Sequence, residues 1–165
     1  MGLAEFICTA MVVLPLPRAD YACKHMDTLI AEAQENHIDP VVLAALIHEE
    51  SRWKPWAVSP AGACGLTQVM PKYTKGRWTC RSLKNPKVSL KAGATILSYW
   101  VHTYGNSDYT IGLCGYNGGY RCRGKNKSRR SMAYAKRILR MAAELEELVT
   151  DQQKAQFLET QIMSE

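Results

Sequence analysis

Long apolar runs are missing from this sequence. No stretch approaches the ~20 consecutive apolar residues that cross a bilayer, which excludes a multi-span membrane protein. Metal-ligand spacing is missing too. There is no CxxC pair, and His25, His37 and His102 are scattered, so no metal or other cofactor is expected. The segment His48-Glu49-Glu50-Ser51-Arg52 is not a zinc-protease HExxH, because Arg52 stands where the second histidine is required. No GxSxG elbow and no phosphate-binding P-loop occur, and nothing near Cys64 or Cys114 supports a thiol nucleophile. Acidic residues are absent from position 51 to position 107. Internal repeats and low-complexity tracts are absent as well.

What is present is a normal globular mixture. The 165 residues are 47% apolar and 22% charged, a composition for one domain, or one domain with a tail. The formal net charge is +6, unevenly spread. Residues 121–140 carry nine basic groups and no acid, whereas residues 141–165 carry one basic and six acidic groups. The basic block suits an anionic polymer, such as nucleic acid, a membrane surface or an acidic cell-wall glycan; it also suits a plain solvated loop entering a helix. No zinc-finger or other nucleic-acid motif accompanies it, so nucleic acid is not an expected partner.

The first nineteen residues have two readings. Phe6 to Pro17 is apolar and of signal-peptide length, with a cleavage position after Ala19. Against a signal, no Lys or Arg precedes the stretch, Glu5 sits where a cation belongs, and Pro17 is poor at the −3 position. The second reading is a segment that docks on the core or on a partner. Cysteine counting bears on the same question. Six are present, at 8, 23, 64, 80, 114 and 122, and removal of residues 1–19 leaves an odd five. Disulfides among Cys64, Cys80, Cys114 and Cys122 fit an oxidising compartment, with the pairing open; buried free thiols are the competing state.

Punctuation residues predict a helix-rich chain. An amphipathic helix is expected over 21–36, with Met26, Leu29, Ile30 and Ala33 on one face. Asp39-Pro40 is an N-cap followed by proline at the first helical position, and opens a helix over 40–51 that is apolar almost all round. Pro55, Pro60, Gly62, Gly65 and Pro71 predict a loop or short β-hairpin over 52–71. A helical turn near 71–75 and a loop to Asn85 follow. Further helices are expected over 86–104 and 108–117, capped by Asn85 and by Ser107 or Asp108, and a long one runs from about 130 into the acidic tail.

The chemistry-bearing feature is a pair of carboxylates, Glu49 and Glu50, at the C-terminal end of the buried helix. Apolar walls and the negative end of the helix dipole both disfavour a charged carboxylate there and raise its pKa. A carboxylic acid kept protonated near neutral pH is what a general acid requires. The bland alternative is a helix emerging into solvent, and periodicity does not choose between the two glutamates.

From Glu50 onward the residues carry a resemblance. Glu50-Ser51, then Pro55 and Ser59, then Gly62-Ala63-Cys64-Gly65-Leu66-Thr67-Gln68-Val69-Met70-Pro71 resembles the signature of soluble lytic transglycosylases of the goose-lysozyme-like fold. Asn85-Pro86 with Ala92-Gly93-Ala94 and Leu97, then Tyr116-Asn117-Gly118-Gly119, then Tyr134-Ala135-Lys136-Arg137-Ile138-Leu139 resemble the later motifs of that family, in order, over about residues 38–140. Departures are Thr67 in place of a usual Met, Gly115 where Ala is common, and Cys64 at a variable position.

The resemblance implies a mainly α, lysozyme-like domain with a small irregular β element beside the cleft. It implies that Glu50, not Glu49, is the catalytic acid and base. The substrate would be peptidoglycan, cleaved between N-acetylmuramic acid and N-acetylglucosamine with closure of a 1,6-anhydro ring. Ser59, Gly65, Leu66, Gln68, Met70, Tyr116 and Asn117 match substrate-binding positions, with Tyr116 expected to hydrogen-bond near the Glu50 carboxyl and Asn117 to fix the local turn. The domain would cover residues 20–149 and leave 150–165 as an acidic tail, where Phe157, Leu158 and Ile162 are available to a virion or secretion-apparatus protein. The expected site of action is the periplasm or cell envelope, reached directly or by delivery from a bacteriophage virion. A hydrolytic lysozyme and an assembly protein with a vestigial site remain the alternatives.

Overall fold

The computed structural model describes residues 1–125 and 127–163. Eight α-helices are present among them: α1 (Leu3–Val13), α2 (Ala19–Cys23), α3 (Met26–Glu35), α4 (Pro40–Ser51), α5 (Cys80–Leu83), α6 (Pro86–Ser98), α7 (Tyr109–Gly118) and α8 (Arg129–Met163). Helix α4 lies at the centre. The Asp39 carboxylate accepts from the Val41 and Val42 amides at 2.8 and 3.3 Å, and Pro40 supplies the preset first position. Every residue from Val41 to His48 is buried, because the VVLAALI run has no polar face to leave in water. Each fully buried Leu or Ile of that run contributes about 1.5–3 kcal/mol of transfer free energy.

Residues 1–19 belong to this core. Phe6, Ile7, Ala10 and Met11 of α1 are buried, and α1 packs against α2, α3 and α8. Cys8 is bonded to Cys23. Losing this segment would uncover those side chains and leave Cys23 unpaired. The other cysteines pair as Cys64–Cys80 and Cys114–Cys122, so none is free.

Three local expectations are corrected. The helix expected over 21–36 is broken at Lys24–His25 into α2 and α3. The expected loop before Asn85 contains α5, where the Ser82 amide donates to the Thr79 hydroxyl and the Ser82 hydroxyl accepts from the Thr79 amide. The helix expected over 86–104 keeps its α ladder only to Ser98, then widens into a π turn over Tyr99–Tyr104. That turn closes when the Gly105 amide donates to the Trp100 carbonyl at 2.8 Å. Crowding explains the change. Trp100 lies against the backbone of Gly115, where a Cβ would come within 2.5 Å of its ring, and Val101 lies equally close to Gly112.

The segment after α4 forms the expected irregular β element. Val58 pairs with Cys64, and Cys64 with Val69. Helix α8 is 35 residues long. Its buried stripe, Ser131, Tyr134, Ala135, Ile138, Ala142, Leu145 and Val149, has helical spacing and ends at Val149. Beyond it Phe157, Leu158, Ile162 and Met163 are exposed. The tail expectation reaches Ser164 and Glu165, which lie outside the described residues.

Candidate active site

The last turn of α4 carries Glu49 and Glu50 on different faces. Tyr134 of α8 donates its hydroxyl to Glu50 Oε1. Burial raises the Glu50 pKa from 4.5 to about 7, partly offset by the Tyr134 hydrogen bond and assisted by the Glu49 charge. Burial also raises Tyr134 well above the usual phenol range, and the Glu50 charge adds to this. Tyr134 is therefore a donor to Glu50 in either state of the carboxyl. Glu49 faces Arg137, one helical turn along α8 from Tyr134. Arg137 Nε and Nη2 both donate to Glu49 Oε1, at 2.9 and 2.7 Å. The spacing of Tyr134 and Arg137 thus separates the two glutamates, one held by a neutral donor and one by a cation.

The backbone beyond Glu50 turns sharply. Arg52 and Trp53 both have positive φ, 52° and 60°, and Trp53 is fully buried. Packing of the Trp53 ring holds a conformation that its backbone alone disfavours. His48, buried one turn before Arg52, has its pKa lowered by burial and then by the Arg52 charge, so it is a neutral acceptor for the Arg52 guanidinium.

The reversal brings the 57–70 loop into place. Ser59 Oγ accepts from the Ala63 amide at 3.0 Å. Gln68, at φ 50°, donates its amide nitrogen to the carbonyls of Ala57 and Gly65 at 3.1 and 2.9 Å. Gly65 has φ 80°, and a Cβ there would lie 2.0 Å from the Leu83 carbonyl oxygen. Its smallness serves close packing against α5. Thr67 donates to the Ser89 carbonyl at 2.9 Å and fills the space against Gly93 that a Cβ there would occupy, a fit that explains the departure at this position.

Leu66 is fully buried and supports the loop from beneath. Tyr116 donates its hydroxyl to the Thr67 carbonyl at 2.7 Å and ties α7 to the loop, close enough to Glu50 that the carboxylate charge adds to the rise in its pKa caused by burial. Asn117 Oδ1 accepts from the Ser131 hydroxyl at 3.0 Å, which ties α7 to α8. Met70 is partly exposed beside the 3-10 turn Pro71–Tyr73. The bond to Glu50 comes from Tyr134, which sequence reading placed only within a closing-helix motif. Its available signal was a polar-tipped aromatic inside a stripe of small and aliphatic residues.

Residues 27–139 match the family described as the Transglycosylase SLT domain. The chain belongs to that family. Among similar proteins, the transglycosylase of Enterobacteria phage PRD1 is 30% identical over 98 residues, covering 59% of this chain and 36% of the relative. Membrane-bound lytic murein transglycosylase F of Pasteurella multocida is 35% identical over 72 residues, covering 44% of this chain and 14% of the relative. This SLT-family chain thus spans well under half the length of these relatives. Two solved structures share its fold. Lytic transglycosylase Slt from Pseudomonas aeruginosa superimposes with a TM-score of 0.67 at 21% identity, covering 76% of this chain and 24% of the other. The 70 kDa soluble lytic transglycosylase from Escherichia coli gives 0.66 at 22%, covering 88% and 29%.

Proposed function

We propose that this protein is a peptidoglycan lytic transglycosylase with Glu50 as its one catalytic carboxyl group. The observation that carries the reading is the setting of Glu50, buried at the end of α4 with the Tyr134 hydroxyl on its Oε1: burial raises its pKa to about 7, so it is largely protonated in mildly acidic surroundings and about half protonated at neutral pH. Glu50 gives its proton to the glycosidic oxygen between N-acetylmuramic acid and N-acetylglucosamine as the bond to the anomeric carbon breaks. The acetamido oxygen of the muramic residue bonds to that carbon and holds the charge as an oxazolinium. The Glu50 carboxylate then takes the proton of the 6-hydroxyl, O6 bonds to the anomeric carbon and the acetamido group leaves. The ring closes as a 1,6-anhydro sugar, and no water is consumed.

A two-carboxylate glycosidase needs a second free acid facing the sugar. Glu49 is held by Arg137, and Asp108 caps α7 by accepting from the Thr110 and Ile111 amides. Both are committed elsewhere, which favours the substrate-assisted route. Ser59, Gln68, Met70, Tyr116 and Asn117 shape the sugar site in this reading, while Gly65 and Leu66 set the loop's position.

Digestion of purified peptidoglycan followed by mass spectrometry tests the proposal. Anhydro-muramic ends are expected; reducing muramic ends would make the protein a muramidase instead. The setting we infer is the cell envelope, entered as part of a virion or of a secretion or conjugation apparatus, and three disulfides suit its oxidising side. The end of α8, with Phe157, Leu158 and Ile162 exposed, is the segment proposed to attach to such an assembly. Truncation after Thr150 should leave product formation intact and abolish co-purification with the assembly.

A further inference from the structure

Away from Glu50, the far end of α7 carries an aromatic cluster that none of the catalytic steps uses. Trp100 sits among Tyr99, Tyr104 and Tyr120, with ring centroids 5.0 to 5.3 Å away. The Tyr99 and Tyr120 hydroxyls are 2.7 Å apart. Tyr120 is nonetheless 69% exposed and Tyr99 42% exposed, an arrangement that leaves large ring surface in water.

This cluster is built rather than incidental. The π turn supplies Tyr99, Trp100 and Tyr104, and Gly115 has no Cβ to keep Trp100 away. The Cys114–Cys122 disulfide ties the following loop back to α7, and the Cys122 amide donates to the Tyr104 hydroxyl. Arg123 lies 4.8 Å over the Tyr104 ring and also donates to the Tyr104 carbonyl. A rigid platform of this kind loses little entropy when a ligand settles on it.

The same loop is strongly cationic. Arg121, Arg123, Lys125, Lys127, Arg129 and Arg130 are exposed, and none forms an ion pair among the described residues. The Ser128 amide donates to the Arg121 carbonyl at 2.7 Å, which closes the loop and gathers these charges beside Tyr120. Tyr120 lies just past the end of α7, beyond Gly119 at φ 65°, and so belongs to the turn that leads from Tyr116 and Asn117 into this loop.

We infer that the Tyr99–Tyr120 platform and the cations of residues 121–125 and 127–130 form an accessory site for the peptide-bearing glycan strand. Tyrosine rings stack on the apolar faces of sugars, and the loop cations take the carboxylates of the stem peptides attached to the muramic residues. This rests on the proposed peptidoglycan substrate and names the part of it that is read at a distance from the cut. Charge alone would suit nucleic acid equally; the platform and its cations lie within residues 27–139, the span that matches the Transglycosylase SLT domain, and this favours the glycan.

The test uses full-length Glu50→Gln protein, so that binding is measured without cleavage. Its affinity is compared for intact sacculi, sacculi stripped of stem peptides by an amidase, and random-sequence double-stranded DNA. Tyr120→Ala should weaken binding to both glycan forms about fivefold to tenfold. Lys125→Gln with Lys127→Gln should weaken binding to intact sacculi about fivefold at low salt and leave stripped glycan unaffected. An equal effect of the lysine changes on both glycan forms, or no effect on either, overturns the inference. So does lysine-dependent DNA binding with glycan binding untouched. The wild-type product assay keeps the two proposals apart. Reducing-end products with stem-dependent binding intact would sink the transglycosylase reading alone, whereas anhydro products with unaltered binding in all loop variants would sink this one alone.

Discussion

Two faces of one helical turn carry neighbouring glutamates to opposite ends. On the inner face Glu50 meets a neutral phenol and apolar walls, and its pKa rises to about 7. On the outer face Glu49 meets an arginine that is half exposed. The two side chains have the same chemistry and the same helix end. The difference comes from what α8 places opposite each: Tyr134 and, one turn later, Arg137. Proton donors are thus made by a neighbour as much as by the residue itself.

Breaking the inner face should have the largest effect. Glu50→Gln should lower anhydro-muropeptide formation by about a thousandfold or more, since it removes both the acid and the base of the cycle. Retained turnover in that variant would remove Glu50 from the chemistry. The same substitution should stabilise the fold above pH 7 by up to about 3 kcal/mol. The sign follows from proton binding. Between pH 4.5 and about 7 the folded chain holds the Glu50 proton more tightly than the unfolded chain, so wild-type stability falls as pH rises through that window. Denaturant titrations at pH 4 and pH 8 should show the variant's advantage only at the higher pH. An advantage independent of pH would point to packing instead.

Tyr134→Phe sharpens the comparison from the other side. It removes a hydrogen bond to the charged form of Glu50, so the descending limb of the kcat/KM profile, expected near pH 7, should move up by about one unit. Turnover should drop about tenfold as the carboxyl loses its fixed orientation. A profile unmoved by the loss of the hydroxyl would show that Tyr134 does not tune Glu50. The outer face should matter least. Glu49→Gln breaks an ion pair whose arginine is largely solvated, so stability should change by less than about 1 kcal/mol and most activity should remain. The pH limb should shift slightly downward, because the Glu49 charge adds to the rise at Glu50.

Much of this arrangement was legible in the residue order. Asp39-Pro40 marked the start of the central helix, and the unbroken apolar run after it marked that helix as buried. Glycines and prolines announced the irregular loop from 52 to 71. The break at Lys24–His25, the π turn and the short helix over Cys80–Leu83 were not legible. The π turn packs on partners distant in sequence, Trp100 against Gly115, which local periodicity does not register, whereas the short helix rests on a local Thr79–Ser82 capping box that the sequence reading missed. Tyr116 was expected to hydrogen-bond near the Glu50 carboxyl; the motif did not reveal that its partner is the Thr67 carbonyl. Disulfides were expected only among Cys64, Cys80, Cys114 and Cys122, and the Cys8–Cys23 bond was not foreseen.

Residue order alone is enough to specify a helical domain, a central apolar helix and two candidate acids at its end, because caps, periodicity and glycine are local physics. Which acid is buried, and which phenol faces it, follows from where α8 crosses α4. That crossing is an outcome of packing between residues 84 positions apart in the chain, and no short-range pattern encodes it.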